Sequence, residues 1–386
     1  METYLPHDLI LHLIIFQVVM LGVVLSNLLL LHRSRKHKPP DEYPMVSILV
    51  PARNEERNIG ACLKSLLAQD YPSFEIWVLD DQSSDGTLGI LMQMASLHPR
   101  LRVLEGQPTP DDFLGKNWAC SQLAPHAQGE LLFFTDADTI HQSHMLQSIV
   151  TAHIGEKADL VTGFPRQQVL TLGERLLVPF FPWAMLCYIP LWLAYRVRLP
   201  GLAAAVGQLM VFRREAYQEI GGHNALGTAI VDDLVLTRKL KKAGLRWRVV
   251  RVSDLISCRM YHGKREAASG FRKNLFAAFD FRLLVFLFVF LWLMVQFWAP
   301  LIVVTVYLFG LAPFARPDQL LVCISLSLLL WLIPYKELGI PLYLGLIYPL
   351  TILANVGVAF QSLVSSLTGR LTWKDRSLGR QKWRWL

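Results

Sequence analysis

Residues 9–31 read LILHLIIFQVVMLGVVLSNLLLL, twenty-three residues without a Lys, Arg, Asp or Glu. A helix crosses the hydrocarbon core with roughly 20 apolar residues, so this run constrains the chain more than any other feature: part of it belongs in lipid. HRSRKHK follows at 32–38, and Lys and Arg beside a span mark the cytoplasmic side, which predicts an outside N-terminus. A cleaved signal peptide would carry its basic residues before the apolar run, whereas here they follow it. From 281 to 366 the chain is apolar again, with polar breaks at RPDQ (316–319) and KE (336–337), and two to four further spans fit there. In the tail, 368–386, Lys and Arg outnumber the one acid, Asp375, which predicts a cytoplasmic tail. An even number of C-terminal crossings follows: either 281–313 is a tight pair broken at Pro300, or one segment fails to cross.

The net charge of +8 gathers at these flanks and in 238–273, a pattern suited to anionic headgroups and substrate phosphates rather than to nucleic acid. The five cysteines, at 62, 120, 187, 258 and 323, lack metal-site spacing and read as reduced packing residues.

Between 45 and 260 strand and helix alternate. MVSILVPA (45–52) and FEIWVLDD (74–81) read as buried strands, NEERNIGACLKSLLAQ (54–69) and SDGTLGILMQMASLHP (84–99) as helices. LRVLEG (101–106), a helix near 116–125 and ELLFFTDAD (130–138) continue an α/β order, which implies a mainly parallel, Rossmann-like sheet. Ligands of such sheets bind beyond the carboxyl ends of the strands. Those positions are acidic: Asp80-Asp81, Asp136-Ala137-Asp138, and Asp232-Asp233 opening the run DDLVLTRKLKKAG. One such pair is ordinarily a cap or turn. Three pairs at one sheet edge repel one another unless a cation or a hydrogen-bonding ligand lies between them, and carboxylate oxygens suit Mg2+ or Mn2+.

VSILVPARNEERNIGACLKSLLAQDYPSFEIWVLDDQSSDGT (46–87), the Asp-Ala-Asp, GQLMVFRREAYQEIGG (207–222) and the Asp-Asp-Leu helix together resemble a family 2 glycosyltransferase of the GT-A, nucleotide-diphospho-sugar transferase, fold. The resemblance covers roughly 45–275. It implies that Asp80 and Asp81 hold the donor's base and ribose, and that Pro51, Ala52, Arg53 and Glu55 line the nucleotide. It further implies that Lys116 lies near the phosphates, that Asp136 and Asp138 bind metal and diphosphate, and that Asp233 is the catalytic base. Within the family, GQLMVFRREAY and the RMY at 259–261 look most like bacterial enzymes that glycosylate hydrophobic lipids, carotenoid- and hopanoid-associated ones included, and more distantly like ceramide glucosyltransferase. The implied reaction is an inverting, metal-dependent transfer of one sugar, UDP-glucose being the family-weighted donor, to a lipid hydroxyl at the cytoplasmic face of a bacterial plasma membrane. Gln208, Asp232, Arg259, Tyr261, His262, Lys264 and Arg272 are candidates for the acceptor or its phosphates; basic residues beside a span also serve as simple anchors.

Two other readings stand beside this one. Processive polysaccharide synthases carry Gln-x-x-Arg-Trp some tens of residues after the catalytic Asp; 259–275 lacks it, and the literal match at Gln381–Trp385 lies far downstream. A membrane scaffold with a dead transferase domain would have no need of three acidic pairs. The expected organisation is a span with its basic flank (1–38), a cytosolic GT-A domain (39–280), C-terminal spans (281–367) and a basic tail (368–386). Inside that domain lies LLVPFFPWAMLCYIPLWLAY (176–195), uncharged and long enough to cross. A single crossing there would put Asp138 and Asp233 on opposite sides of the membrane. The segment is therefore expected to enter and leave on one face, interfacial or re-entrant, helped by Pro182 and Pro190; a pair of buried core helices is the alternative.

Overall fold

The computed structural model describes residues 5–311, 316–373, 376–377 and 382–386, so Gln381 and part of the basic tail lie outside the described residues. In chain order the elements begin α1 (Leu5–Arg33), β1 (Val46–Ala52), α2 (Ile59–Leu67), β2 (Phe74–Asp80), α3 (Thr87–Leu97), β3 (Leu101–Glu105), α4 (Gly115–Leu123), β4 (Leu131–Phe134), β5 (Thr139–His141) and α5 (Met145–Gly155). They continue β6 (Leu160–Gly163), β7 (Arg166–Gln167), α6 (Leu172–Leu177), α7 (Phe180–Tyr188), α8 (Leu191–Ala194), β8 (Met210–Arg213), α9 (Arg214–Glu219), α10 (Asp232–Ala243), β9 (Trp247–Val250) and β10 (Ile256–Cys258). Last come α11 (Lys264–Ala278), α12 (Leu283–Leu308), α13 (Pro317–Glu337), α14 (Tyr343–Leu346) and α15 (Tyr348–Thr368). Compactness divides these into a helical unit, Met1–Leu28 with Val169–Pro190 and Tyr261–Leu386, and an α/β unit, Leu29–Gln168 with Leu191–Met260. Residues 169–190 and 261–280, which composition groups with the soluble domain, thus pack with the long helices.

In the α/β unit seven strands run in the order β3-β2-β1-β4-β8-β6-β9. The central strand β1 pairs in parallel with β2 and β4, while β8 lies antiparallel between β4 and β6. The β1 side chains Val46, Ile48, Leu49 and Val50 are fully buried, as expected of a strand covered on both faces. From β1 the chain first builds outward through β2 and β3, then returns to the other side of β1 at β4. That reversal opens a crevice at the carboxyl ends of β1 and β4. A smaller sheet, β5-β10-β7, brings Cys258 of β10 opposite Thr139 of β5. Two residues of the basic flank are also tied down in this unit: Arg35 pairs with Asp254, and His37 lies 2.9 Å from Glu156.

Among the described residues four helices, Leu9–Arg33, Leu283–Leu308, Pro317–Glu337 and Tyr348–Thr368, are long and apolar enough to cross a membrane. The stretch 176–195 is not among them. Its pieces in the helical unit are the end of α6 and the nine-residue α7. Pro182 sits in the first turn of α7, where a missing N–H leaves no bond unmade, and Pro190 follows its end. Trp183 stacks on Trp331 of α13 at 3.9 Å and meets Phe297 of α12 edge-on at 5.7 Å. Pro334 cannot donate to the Leu330 carbonyl one turn back, and the Trp183 indole N–H supplies that bond instead at 2.8 Å. Side chains of the long helices also serve the carbonyls left open where the short helices end. Asn27 donates to Leu186 and Ile189 at 2.9 and 2.8 Å, and Asn355 donates to Leu176 at 2.9 Å. Unpaired carbonyls in an apolar surround cost several kcal/mol each, so these two amides are what let a broken helix lie among spans.

Helix directions follow from the contacts. Ile10 and Leu13 cluster with Leu320 and Cys323, and Gln17 bonds Ser327 at 2.9 Å, so α1 and α13 run the same way. Phe297 meets Trp331, while Val303 and Val304 pack against the cluster that holds Leu320 and Cys323, so α12 opposes α13. Trp298 donates to the Pro349 carbonyl at 3.2 Å, and the Phe276 amide, near the end of the α11 that leads into α12, donates to Ser362 at 3.1 Å, so α12 opposes α15 as well. The consecutive helices α13 and α15 therefore share a direction. Residues 338–347 fold back along α13, and α15 starts with Tyr348 stacked on Trp331, 5.9 Å away and short of the α13 end.

Candidate active site

The crevice is built from loops that follow strands. After β1, Asn54 adopts a left-handed φ of 51°; after β2, Gln82 does so at 57°. The two loops interlock: the Asn54 amide donates to Ser83 at 2.9 Å, Ser84 donates to the Asn54 side chain at 2.8 Å, and Glu55 donates through its amide to Thr87 at 2.8 Å. Asp80 and Asp81 are held beneath them, 4% and 3% exposed. One Asp80 oxygen accepts from the Ser83 amide at 3.0 Å and the other is buried with no protein partner. Arg53 reaches the Asp81 carbonyl at 2.5 Å and its carboxylate at 3.8 Å. Pro51 and Ala52 form the last residues of β1 beside them.

Lys116, in the first turn of α4, joins the other two acidic motifs. Its Nζ lies 2.8 Å from Asp136 and 3.3 Å from Asp232. Desolvation works against its charge, but Asp136 and Asp232 outweigh it and hold the ammonium well above its ordinary range. Both Asp233 oxygens are fixed by main-chain donors, Gly207 N–H at 2.9 Å and Leu234 N–H at 2.7 Å. Desolvation and the neighbouring Asp232 charge nevertheless push its carboxyl up to about 7. A Cβ on Gly207 would stand 3.1 Å from the Lys116 Nζ, so glycine there leaves room for the ammonium. Asp138 is likewise pushed up to about 7, by desolvation and then by Asp136 and Glu55, with the Cys258 thiol as a compensating donor. Its Oδ1 is buried without a protein partner.

Among the described residues no three His, Cys, Asp or Glu side chains form a complete metal cage. An unpartnered carboxylate oxygen among crowded acids nonetheless suits a divalent cation of the Mg2+ or Mn2+ kind, which takes one or two carboxylates from the protein and its remaining oxygens from phosphates and water. The residues present fit that arrangement, and Asp138 and Asp136 are the ones that would hold such a cation.

The acceptor candidates divide. Gln208 is 1% exposed, its amide donating to Cys258 at 2.9 Å and accepting from Gln167 at 2.9 Å. Asp232 belongs to the Lys116 cluster, and Arg259 follows β10 in the same unit. Tyr261, His262, Lys264 and Arg272 lie in the helical unit, the first two just before α11 and the other two within it. Three contributors carry no sequence signal of their own: the Gly207 amide, the Cys258 thiol beside Asp138, and Asn117, whose side chain is 2% exposed.

A switch-point crevice with Lys116 between two acids and a fixed carboxylate beside it defines a domain of the GT-A class. Residues 47–221 match the family described as Glycosyl transferase family 2. The chain is 31% identical over 227 residues to the beta-monoglucosyldiacylglycerol synthase of Trichormus variabilis, covering 57% of this chain and 45% of that one. It is 24% identical over 257 residues to the 4,4'-diaponeurosporenoate glycosyltransferase of Staphylococcus haemolyticus, covering 66% and 67% respectively. The chain thus spans less than half the length of the synthase. Its fold is that of the mannosyltransferase PcManGT from Pyrobaculum calidifontis, solved in complex with GDP-Man and Mn2+, with a TM-score of 0.50 at 19% identity over 92% of this chain and 99% of that one.

Proposed function

We propose that the chain transfers one sugar, with inversion, from a nucleoside-diphosphate sugar, UDP-glucose first among donors, to a hydroxyl of a membrane lipid, using Mg2+ or Mn2+. The observation that carries the proposal is Lys116 lying between Asp136 and Asp232 at the sheet's switch point, next to an Asp233 carboxyl pushed up to about 7. The names of the relatives, a glucosyldiacylglycerol synthase and a carotenoid-type glycosyltransferase, support a lipid acceptor, and the four apolar helices support a bilayer around it. The catalytic unit is assigned to the cytoplasmic face, where the basic flank 32–38 and nucleotide sugars would be.

In this reading the Asp80 oxygen without a protein partner receives a donor group from the nucleotide. Lys116 stabilises diphosphate charge, and the Asp136–Asp138 carboxylates would hold the cation. A bound cation supplies positive charge to the departing diphosphate. Asp233, its plane fixed by two N–H groups, takes the acceptor proton; a carboxylate that titrates near neutrality is a stronger base than an ordinary Asp and still has a substantial deprotonated fraction at neutral pH. One displacement with one base inverts the anomeric carbon. The test is mass spectrometry of products formed by the purified protein from UDP-glucose and a membrane lipid extract. A lipid carrying one added hexose is expected. Polymer would favour a processive synthase, and an absence of UDP release with any donor tried would favour a scaffold.

A further inference from the structure

We propose that Asn117 is a positioning residue for this transfer: it fixes the segment 227–231 that delivers Asp232 and Asp233 to Lys116. The inference rests on the proposed function and deepens it. Asn117 sits next to Lys116 in the first turn of α4, and its Nδ2 donates to two carbonyls of one segment, Gly227 and Ala229, each at 2.9 Å. The Leu114 amide, at the same helix end, donates to the Gly227 carbonyl too, at 3.1 Å. Both N–H bonds that a primary amide offers are thus spent on the stretch of chain that runs directly into α10.

That stretch has no helix or strand to hold it. Gly227 takes a left-handed φ of 50°, and a Cβ there would stand 3.0 Å from the Asp112 carbonyl, so the turn is tight and lies against the approach to α4. Five residues later the chain enters α10, whose first two residues are Asp232 and Asp233. The Lys116–Asp232 attraction favours closeness but has little directionality. The bonds from Asn117 are directional, and they set where the Asp233 plane stands relative to the Gly207 amide. One helical turn therefore carries both the charge that meets the acids and the amide that aims them.

The test uses the full chain in detergent micelles or nanodiscs, with Asn117→Ala and Asn117→Asp; the second keeps the shape but sets a carboxylate against two carbonyls. Misplacing a reacting group by about 1 Å costs on the order of 100-fold in rate. Both variants are expected to lose kcat by about 10- to 100-fold, with UDP affinity within about twofold of wild type, which also reports an intact α/β unit. Amide hydrogen exchange at 229–235 is expected to quicken in both. Unchanged exchange there, or kcat and UDP affinity falling together, would overturn the assignment. Wild-type protein that forms no glycolipid would sink the functional reading instead, and the exchange measurement would still decide the role of Asn117 in holding the segment.

Discussion

Asp233 is held by two backbone donors and opposed by a neighbouring charge, and the contest between them sets its chemistry. Its carboxyl titrates near 7 in the folded chain, so kcat should rise with pH through about 7 and level off above it; a profile already flat at pH 5 would count against Asp233 as the base. Asp233→Asn should cut turnover by about 100-fold or more while UDP still binds. The same shift has a stability consequence of definite sign. A carboxyl whose folded value lies above its unfolded one favours the native state while protonated and loses that contribution as pH climbs from near 4 through about 7. The melting temperature of Asp233→Asn should therefore gain on wild type as pH is raised from 4 to 8. Asp138 is checked by binding: Mn2+ should raise the melting temperature of wild type and leave Asp138→Asn unmoved. The acids and Lys116 stand out in the sequence because carboxylates and an ammonium are the side chains the proposed chemistry would use. Gly207 does not, because its part is a main-chain N–H, and nothing in the string GKNWA shows that Asn117 turns toward residues 227–229.

At the level of elements, the segment 176–195 is the instructive one. Length and the lack of charge make it a candidate span, and the demand that Asp138 and Asp233 share a face, with Pro182 and Pro190 in support, argues otherwise. Packing shows how a broken segment survives among apolar helices: Asn27 and Asn355 cap its open carbonyls, and Trp183 replaces the donor that Pro334 lacks. Asn27→Leu, nearly neutral in size and favourable by hydropathy, should thus destabilise the chain by roughly 1–3 kcal/mol, because two carbonyls lose their donor. Thermal unfolding in detergent measures it, and a melting temperature equal to wild type would contradict the capping role. The strands of the catalytic unit were easier to place, since runs such as VSILV are buried on both faces and end in acids at the crevice. The position of β8, antiparallel between β4 and β6, was not legible, because strand order depends on which edges remain open when a later strand arrives.

Over the whole molecule, the odd number of C-terminal apolar helices conflicts with a basic tail on the side where they start, unless one of them fails to complete a crossing. The shared direction of α13 and α15 removes the conflict. Residues 338–347 return the chain along α13, and α15 then ends near the start of α12, where Arg384 exchanges backbone bonds with Phe281 and Leu283 at 2.9 and 2.8 Å. Cysteines placed at Asp280 and Leu386 should accordingly react with a membrane-impermeant maleimide from one side, and one at Leu311 from the other; labelling of 280 and 386 from opposite sides would mean that α15 crosses alone. The sequence by itself determined the classes of surface, lipid-facing runs and an acidic sheet edge, because hydropathy and charge are properties of residues and act wherever those residues lie. Only the tertiary structure decided which carbonyls Asn27, Asn117 and Asn355 serve, which way α15 runs, and that Lys116 meets acids from two distant motifs. Those outcomes depend on which groups come within hydrogen-bonding distance, and one chain position carries no record of its distant neighbours.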